Sequence, residues 1–250
     1  MRIVVTYSAS DMKKRLALLL LLPLLTACSN QAPYATTVGI LAPGTTLTVR
    51  VTNAPFSAFQ PAAGQPRNRF TVEATAPSRA TPPPPRVRGL PGGGVLVQAE
   101  DPLANLLVRV PDGVTLVVES KSGDVHVTGI AGNAKVVAQN GSVQALLPGY
   151  AQAAVGRGNL SVTMGSTGWP GTLHFSTQHG NVELWINENA AFAVHLHTDR
   201  GTLFSDFDLR GTSQGSAETI DGRVNGGGSH GIDVRTTDGT IRLLRLHPQA

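Results

Sequence analysis

Three histidines, His174, His195 and His197, are the residues whose type and spacing most resemble a chemical site. His174 and His195 each stand six residues before a turn glycine. Stacked repeats would therefore place them on adjacent strands, about 4.8 Å apart. His197 follows two residues later and faces the same way, and three imidazoles can bind zinc while leaving one position open. An exposed polar ladder on a solvated face needs the same pattern and no metal. We favour that reading and expect no cofactor. Hydrolysis of a glycosidic bond needs two carboxylates roughly 5 to 10 Å apart on one surface. The outward acidic residues Glu119, Glu183 and Glu218 do not fall on neighbouring repeats, and Asp206 with Asp208 reads as a solvated acidic loop. The glycine-rich residues 225–231 lack the lysine and the following helix of a phosphate cradle. Trp169, Trp185 and Phe204 are the aromatics that could stack on a sugar or a partner, with partial burial the commoner fate. These patterns point away from an enzyme.

Cys28, the only cysteine, is the other reactive group. Ahead of it Lys13, Lys14 and Arg15 form a positive region, and residues 16–25 form an apolar stretch too short to span a bilayer. The sequence Leu25-Thr26-Ala27-Cys28 resembles the lipobox of bacterial lipoproteins. That resemblance implies cleavage before Cys28 and lipidation of its sulfur and amino group. Residues 1–27 then form the signal peptide, with Met12 the expected true start, and residues 28–40 a lipidated tether. Ser29 is not an aspartate-type retention signal, which by the same resemblance favours the outer membrane or cell surface. The whole chain has 20 basic and 16 acidic residues. Losing Arg2, Lys13, Lys14, Arg15 and Asp11 leaves a mature net charge of about +1, and no basic run is interleaved with aromatics, so nucleic acid is not an expected partner. With Cys28 modified, no disulfide remains to support the fold.

The elements that must position these residues come from one repeated pattern. Seven glycines in polar turns, Gly123, Gly141, Gly158, Gly180, Gly201, Gly222 and Gly239, recur every 17 to 22 residues. Two residues after each comes Val125, Val143, Leu160, Val182, Leu203, Val224 or Ile241; five before comes Val118, Val136, Ala153, Phe175, Leu196, Ala217 or Val234. Interleaved positions are mostly polar, among them Lys135, His174, His195, Asp233 and Arg235. Period-two alternation argues half-buried strands, and the change of parity across each glycine argues a corner. A two-strand unit of this length cannot bury its own apolar face, so units must stack. The predicted fold is an all-β solenoid or β-roll of about seven glycine-turn units. An antiparallel sandwich or meander, with each glycine in a hairpin, is the alternative. Residues 41–110, with a proline run at 82–85, read as an irregular amino-terminal section holding a few strands, and residues 111–246 as the repeat domain.

Three phrases in order, at residues 108–129, 186–207 and 226–246, are similar to the bacterial putative-adhesin domain of unknown function. The resemblance implies a repeated β domain, often tethered at the envelope, with no catalytic residues to carry over. The functional expectation is a lipid-anchored envelope protein acting as a non-catalytic adhesion, binding or structural module. Its expected partners are the membrane through the lipid, an envelope polysaccharide or protein, and further copies through strand edges. The alternatives are a polysaccharide-processing enzyme and an accessory to envelope-stress sensing.

Overall fold

The computed structural model describes residues 33–61, 63–76, 83–100 and 105–247; the expected signal peptide and Cys28 lie outside the described residues. The amino-terminal section supplies β1 (Ala35–Ile40), β2 (Thr46–Asn53), β3 (Phe56–Phe59), β4 (Arg69–Thr75) and β5 (Arg86–Gly89). A 3-10 turn at Pro91–Gly93 precedes β6 (Val95–Ala99) and β7 (Asn105–Arg109). Next come β8 (Thr115–Ser122), β9 (Val125–Thr128), β10 (Ala134–Asn140), β11 (Val143–Leu147), β12 (Ala151–Arg157), β13 (Leu160–Met164), β14 (Thr172–His179) and β15 (Val182–Asn187). The last described strands are β16 (Phe192–Arg200), β17 (Leu203–Ser205), β18 (Gly211–Gln214), β19 (Ala217–Val224), β20 (Gly231–Asp238) and β21 (Ile241–Leu246).

They form two sheets that share one core. Sheet A runs β1-β4-β7-β3-β9-β11-β13-β15-β21-β17, and sheet B runs β18-β19-β16-β20-β14-β12-β10-β8-β2-β6-β5. From β8 to β15 each rung is a strand of sheet B, a glycine corner, and a strand of sheet A, and successive rungs pair in parallel. The chain is therefore an all-β solenoid, and its corners join two sheets rather than the arms of hairpins.

The corner explains the recurring glycine. At Gly141 φ is +122°, and a Cβ would lie 2.3 Å from the carbonyl oxygen of Gly123 on the rung beside it. Only glycine permits both that backbone and that approach. The residue after the glycine holds the neighbouring corner in place. Asp124 Oδ1 accepts from the amide of Ser142 at 2.8 Å, Asn159 Oδ1 from Asn181 at 2.9 Å, and Asn181 Oδ1 from Thr240 at 2.9 Å. Asp, Asn, Ser and Thr recur there because a short polar side chain reaches the next backbone amide.

Between the sheets lie continuous apolar rows. One runs Val97, Val49, Val118, Val136, Ala153, Phe175, Val234, Leu196 and Ile220, all buried. At roughly 1.5 kcal/mol or more per buried Val- or Leu-sized side chain, such rows stabilise the stack collectively.

The order of rungs departs from the order of the chain at both ends. The last rung, β20 with β21, inserts between β14–β15 and β16–β17. The sixth expected unit is not a rung at all. β19 runs antiparallel to β16, and Gly222 sits within it, outside the positive-φ glycines and beneath Leu209. The amino-terminal section is also more regular than expected. β2–β3 and β6–β7 are two further rungs, stacked in the order β6–β7, β2–β3, β8–β9. Residues 35–40, expected as tether, form β1, antiparallel to β4. Antiparallel strands flank the parallel stack: β1, β4 and β5 at one end, and β18 and β19 in sheet B at the other, where sheet A ends on the parallel β17.

Candidate functional site

Strands in register place equal positions side by side, so the outer face of sheet B carries side chains in rows. One row reads His174, Asp233, His195 and Asp221. The next reads Val137, Ala154, Ser176, Arg235, His197, Thr219 and Thr212. The inserted β20 thus puts Asp233 between His174 and His195. The two histidines expected on adjacent strands are two strand spacings apart, roughly 9.6 Å. Each histidine meets a carboxylate instead. His174 Nδ1 lies 3.5 Å from Asp233 Oδ2, and His195 Nδ1 lies 2.7 Å from Asp221 Oδ1. His197 Nε2 lies 3.0 Å from Asp199 Oδ1 and its Nδ1 2.9 Å from Thr219 Oγ1. The rings of His195 and His197 stack with centroids 6.4 Å apart. Among the described residues no three His, Cys, Asp or Glu side chains are grouped to hold a metal ion.

An open groove of about 680 Å³ follows the first row, over Ala193 and Gly231, with Thr172, His195, Asp221, Arg223, Asp233 and Arg235 along it. Arg235 clamps Asp233 with two hydrogen bonds, Nε to Oδ1 at 2.9 Å and Nη2 to Oδ2 at 3.2 Å. Partial burial pushes the Asp233 carboxyl up, but the Arg235 hydrogen bonds and the charges of Arg235, His195 and His174 outweigh it and hold the group below its ordinary value. Asp221 and Asp233 are also two strand spacings apart, near the upper limit for a carboxylate pair acting on a glycosidic bond. The proton donor of such a pair needs a raised pKa, and Asp233 is moved the other way. The groove therefore offers charges and hydrogen bonds to a ligand, with Asp233 locked as an anion.

The family described as Toastrack DUF4097 matches residues 112–244, more than half of the chain. The chain belongs to the Toastrack DUF4097 family. A crystal structure described as that of a putative cell adhesion protein from Clostridium sporogenes is also similar, with 9% identity, 85% of this chain and 99% of that chain covered, and a TM-score of 0.44. No curated protein matches the chain.

In this Toastrack domain the other candidates take structural places. Trp169 is buried, its Nε1 donates to the Gly231 carbonyl at 2.9 Å, and its ring packs on Phe192 and His230. Trp185 lies half-buried on the outer face of sheet A, its Nε1 donating to Glu183 Oε1 at 2.8 Å. Phe204 is exposed, with the Arg242 guanidinium 5.7 Å from its ring centre. Asp206 Oδ2 accepts from the Arg245 amide at 3.2 Å, and its backbone carbonyl accepts from Arg245 Nε at 3.1 Å. The glycine-rich stretch is a turn in which Asn225 Nδ2 donates to the carbonyls of Glu188 and Ala190, both at 2.8 Å. Asp221 and Arg223 were not readable as site residues, since the sequence of β19 matches the sixth repeat unit. One signal was present: Arg223 follows Gly222 where every true corner glycine is followed by Asp, Asn, Ser or Thr.

Proposed function

We propose that this Toastrack protein is a lipid-anchored cell-envelope protein that works as a non-catalytic binding module. The observation that supports binding most strongly is the broad, ordered outer face of sheet B. Its grooves are built from side chains fixed by strand register and by ion pairs, and a rigid platform of this kind binds without a large ordering cost. Asp233, which Arg235 holds away from proton donation, favours binding over hydrolysis in that groove. The lipobox-like sequence at Cys28 supports the anchor and the envelope location. Binding is tested by incubating the chain from Ser29, which keeps every described strand, with insoluble envelope material from the source cells. Retention is the expected result; complete recovery in the supernatant contradicts the reading. Labelling cells with a palmitate analogue tests the anchor, with label expected on the wild type and not on Cys28→Ser.

A second reading, self-association, is favoured by one edge. β5 carries Arg86 and Arg88, β18 is polar throughout, and β17 has only three residues, all features that discourage edge pairing. β1 has none of these: it is uncharged, six residues long, and exposes Val38 and Ile40. Sedimentation of the chain from Ser29 should show a dimer that Val38→Pro, which removes an outward-facing amide, abolishes. A monomer at all concentrations contradicts it.

A further inference from the structure

The outer faces of the two sheets differ in a way that names a ligand. Sheet A exposes Val38, Ile40, Leu146 and Phe204, whereas Val137 is the single large apolar residue exposed on the described outer face of sheet B. Charge on sheet B is sorted just as sharply. Each carboxylate on its outer face has a basic partner: Glu119 with Arg50 at 2.7 Å, Asp199 with His197 at 3.0 Å, Asp221 with His195 at 2.7 Å, Asp233 with Arg235 at 2.9 Å, and Asp238 with Arg200 at 2.9 Å. Lys121, Lys135, Arg157 and Arg223, all exposed, have no carboxylate partner among the described residues. The unbalanced charge of this face is therefore cationic, although the mature chain is close to neutral.

Lys121, Arg157 and Arg223 border three neighbouring grooves. A groove beside Arg50, Glu119 and Lys121 shares Val137 and Gln139 with a second groove of about 560 Å³, lined by Asn140, Arg157, Gln178 and Thr237. Ser176 of the second groove is the cross-strand partner of Arg235, which lines the groove that contains Arg223. Together the three grooves cross eight strands, β2 to β19, which is roughly 34 Å at the spacing of paired strands. The floor of the second groove is low because Ala154, Gly156 and Ser176 stand where bulkier residues would fill it. An extended polymer fits that length. Amides and hydroxyls at Gln139, Asn140, Gln178, Ser176 and Thr237 match a chain rich in hydroxyl groups. The partnerless cations call for regularly placed negative charge. Among the described residues no aromatic side chain of Phe, Tyr or Trp is exposed on this face, so bases have nothing to stack on.

We propose that the outer face of sheet B binds an anionic polysaccharide, laid across the strands with its acidic groups on Lys121, Arg157 and Arg223. The proposal rests on the binding reading above and specifies its ligand and its surface. The test measures binding of the chain from Ser29 to polygalacturonate, with neutral dextran, duplex DNA and anionic phospholipid vesicles alongside. Polygalacturonate should bind, dextran should not, and affinity should fall at least tenfold between about 0.1 M and about 1 M salt, as the screening length drops from roughly 10 to 3 Å. The triple variant Lys121→Gln, Arg157→Gln, Arg223→Gln should lose at least tenfold, and Arg69→Gln with Arg109→Gln on sheet A should lose nothing. Equal binding of dextran, stronger binding of DNA or vesicles, or an unchanged triple variant would overturn it. If the triple variant is still fully retained by envelope material, this surface is wrong and the binding reading survives. If the wild type is not retained, both fall.

Discussion

At Gly141 a single added methyl group tests the corner geometry. Gly141→Ala must leave its φ of +122° or push a Cβ against the Gly123 carbonyl, and backbone strain of that kind costs about 1–3 kcal/mol before the clash is counted. Gly222→Ala meets only the Cδ2 tip of Leu209, at 2.5 Å, which can turn away. Thermal or urea unfolding should show Gly141→Ala as clearly the more damaging; equal losses would contradict the assignment of Gly222 as a strand residue. Asp233 supplies a pH test. Its folded-state carboxyl lies below the ordinary value of 3.8, so its contribution is complete above that value and is lost as pH falls through the folded one. Arg235 is exposed, so solvent screening keeps the contribution of the pair small. The stability gap between wild type and Arg235→Gln should be open above the ordinary carboxylate value of 3.8 and close as pH falls below it. A gap that does not change with pH would contradict the pairing.

At the scale of strands, the inserted rung couples parts of the chain that a sequentially stacked solenoid would keep independent. In such a solenoid, losing the last repeat exposes only its neighbour. Here β20 and β21 are the parallel partners of β14 and β15 on one side and of β16 and β17 on the other. Deleting residues 229–250 should therefore abolish hydrogen-exchange protection throughout β16 to β19 and weaken it in β14 and β15, while β8 to β11 stay protected. Protection that persists in β16 would show that β20 is not inserted. This rearrangement was not legible in the sequence for a physical reason. Alternation decides which side chains turn inward, but every rung offers its neighbours a similar apolar row, so alternation does not decide which rungs meet. The rungs β2–β3 and β6–β7 were missed because the glycine was the marker. Their first corner is Asn53-Ala54-Pro55, whose Ala54 carbonyl underlies Gly123 in place of a glycine's.

For the described unit as a whole, the parts that could be read early were those fixed by local chemistry: strands from alternation, corners from Gly followed by Asp, Asn, Ser or Thr, and all-β stacking from units too small to stand alone. The candidate site was only half readable. His174, His195 and His197 do share the outer face of sheet B, yet Asp221, Arg223, Asp233 and Arg235 become their neighbours only through the reversed β19 and the inserted β20. That assembly changes the chemistry from a histidine cluster to alternating acids and bases beside partnerless cations, which is why the face reads as a binding platform. The most direct test of that conclusion is to incubate the chain from Ser29 with purified envelope polysaccharides and count new sugar chain ends over time, together with the fraction of protein retained. Retention with no new ends is predicted. New ends that appear with wild-type protein and vanish with Asp221→Asn or Asp233→Asn would show that the groove is catalytic and contradict the account.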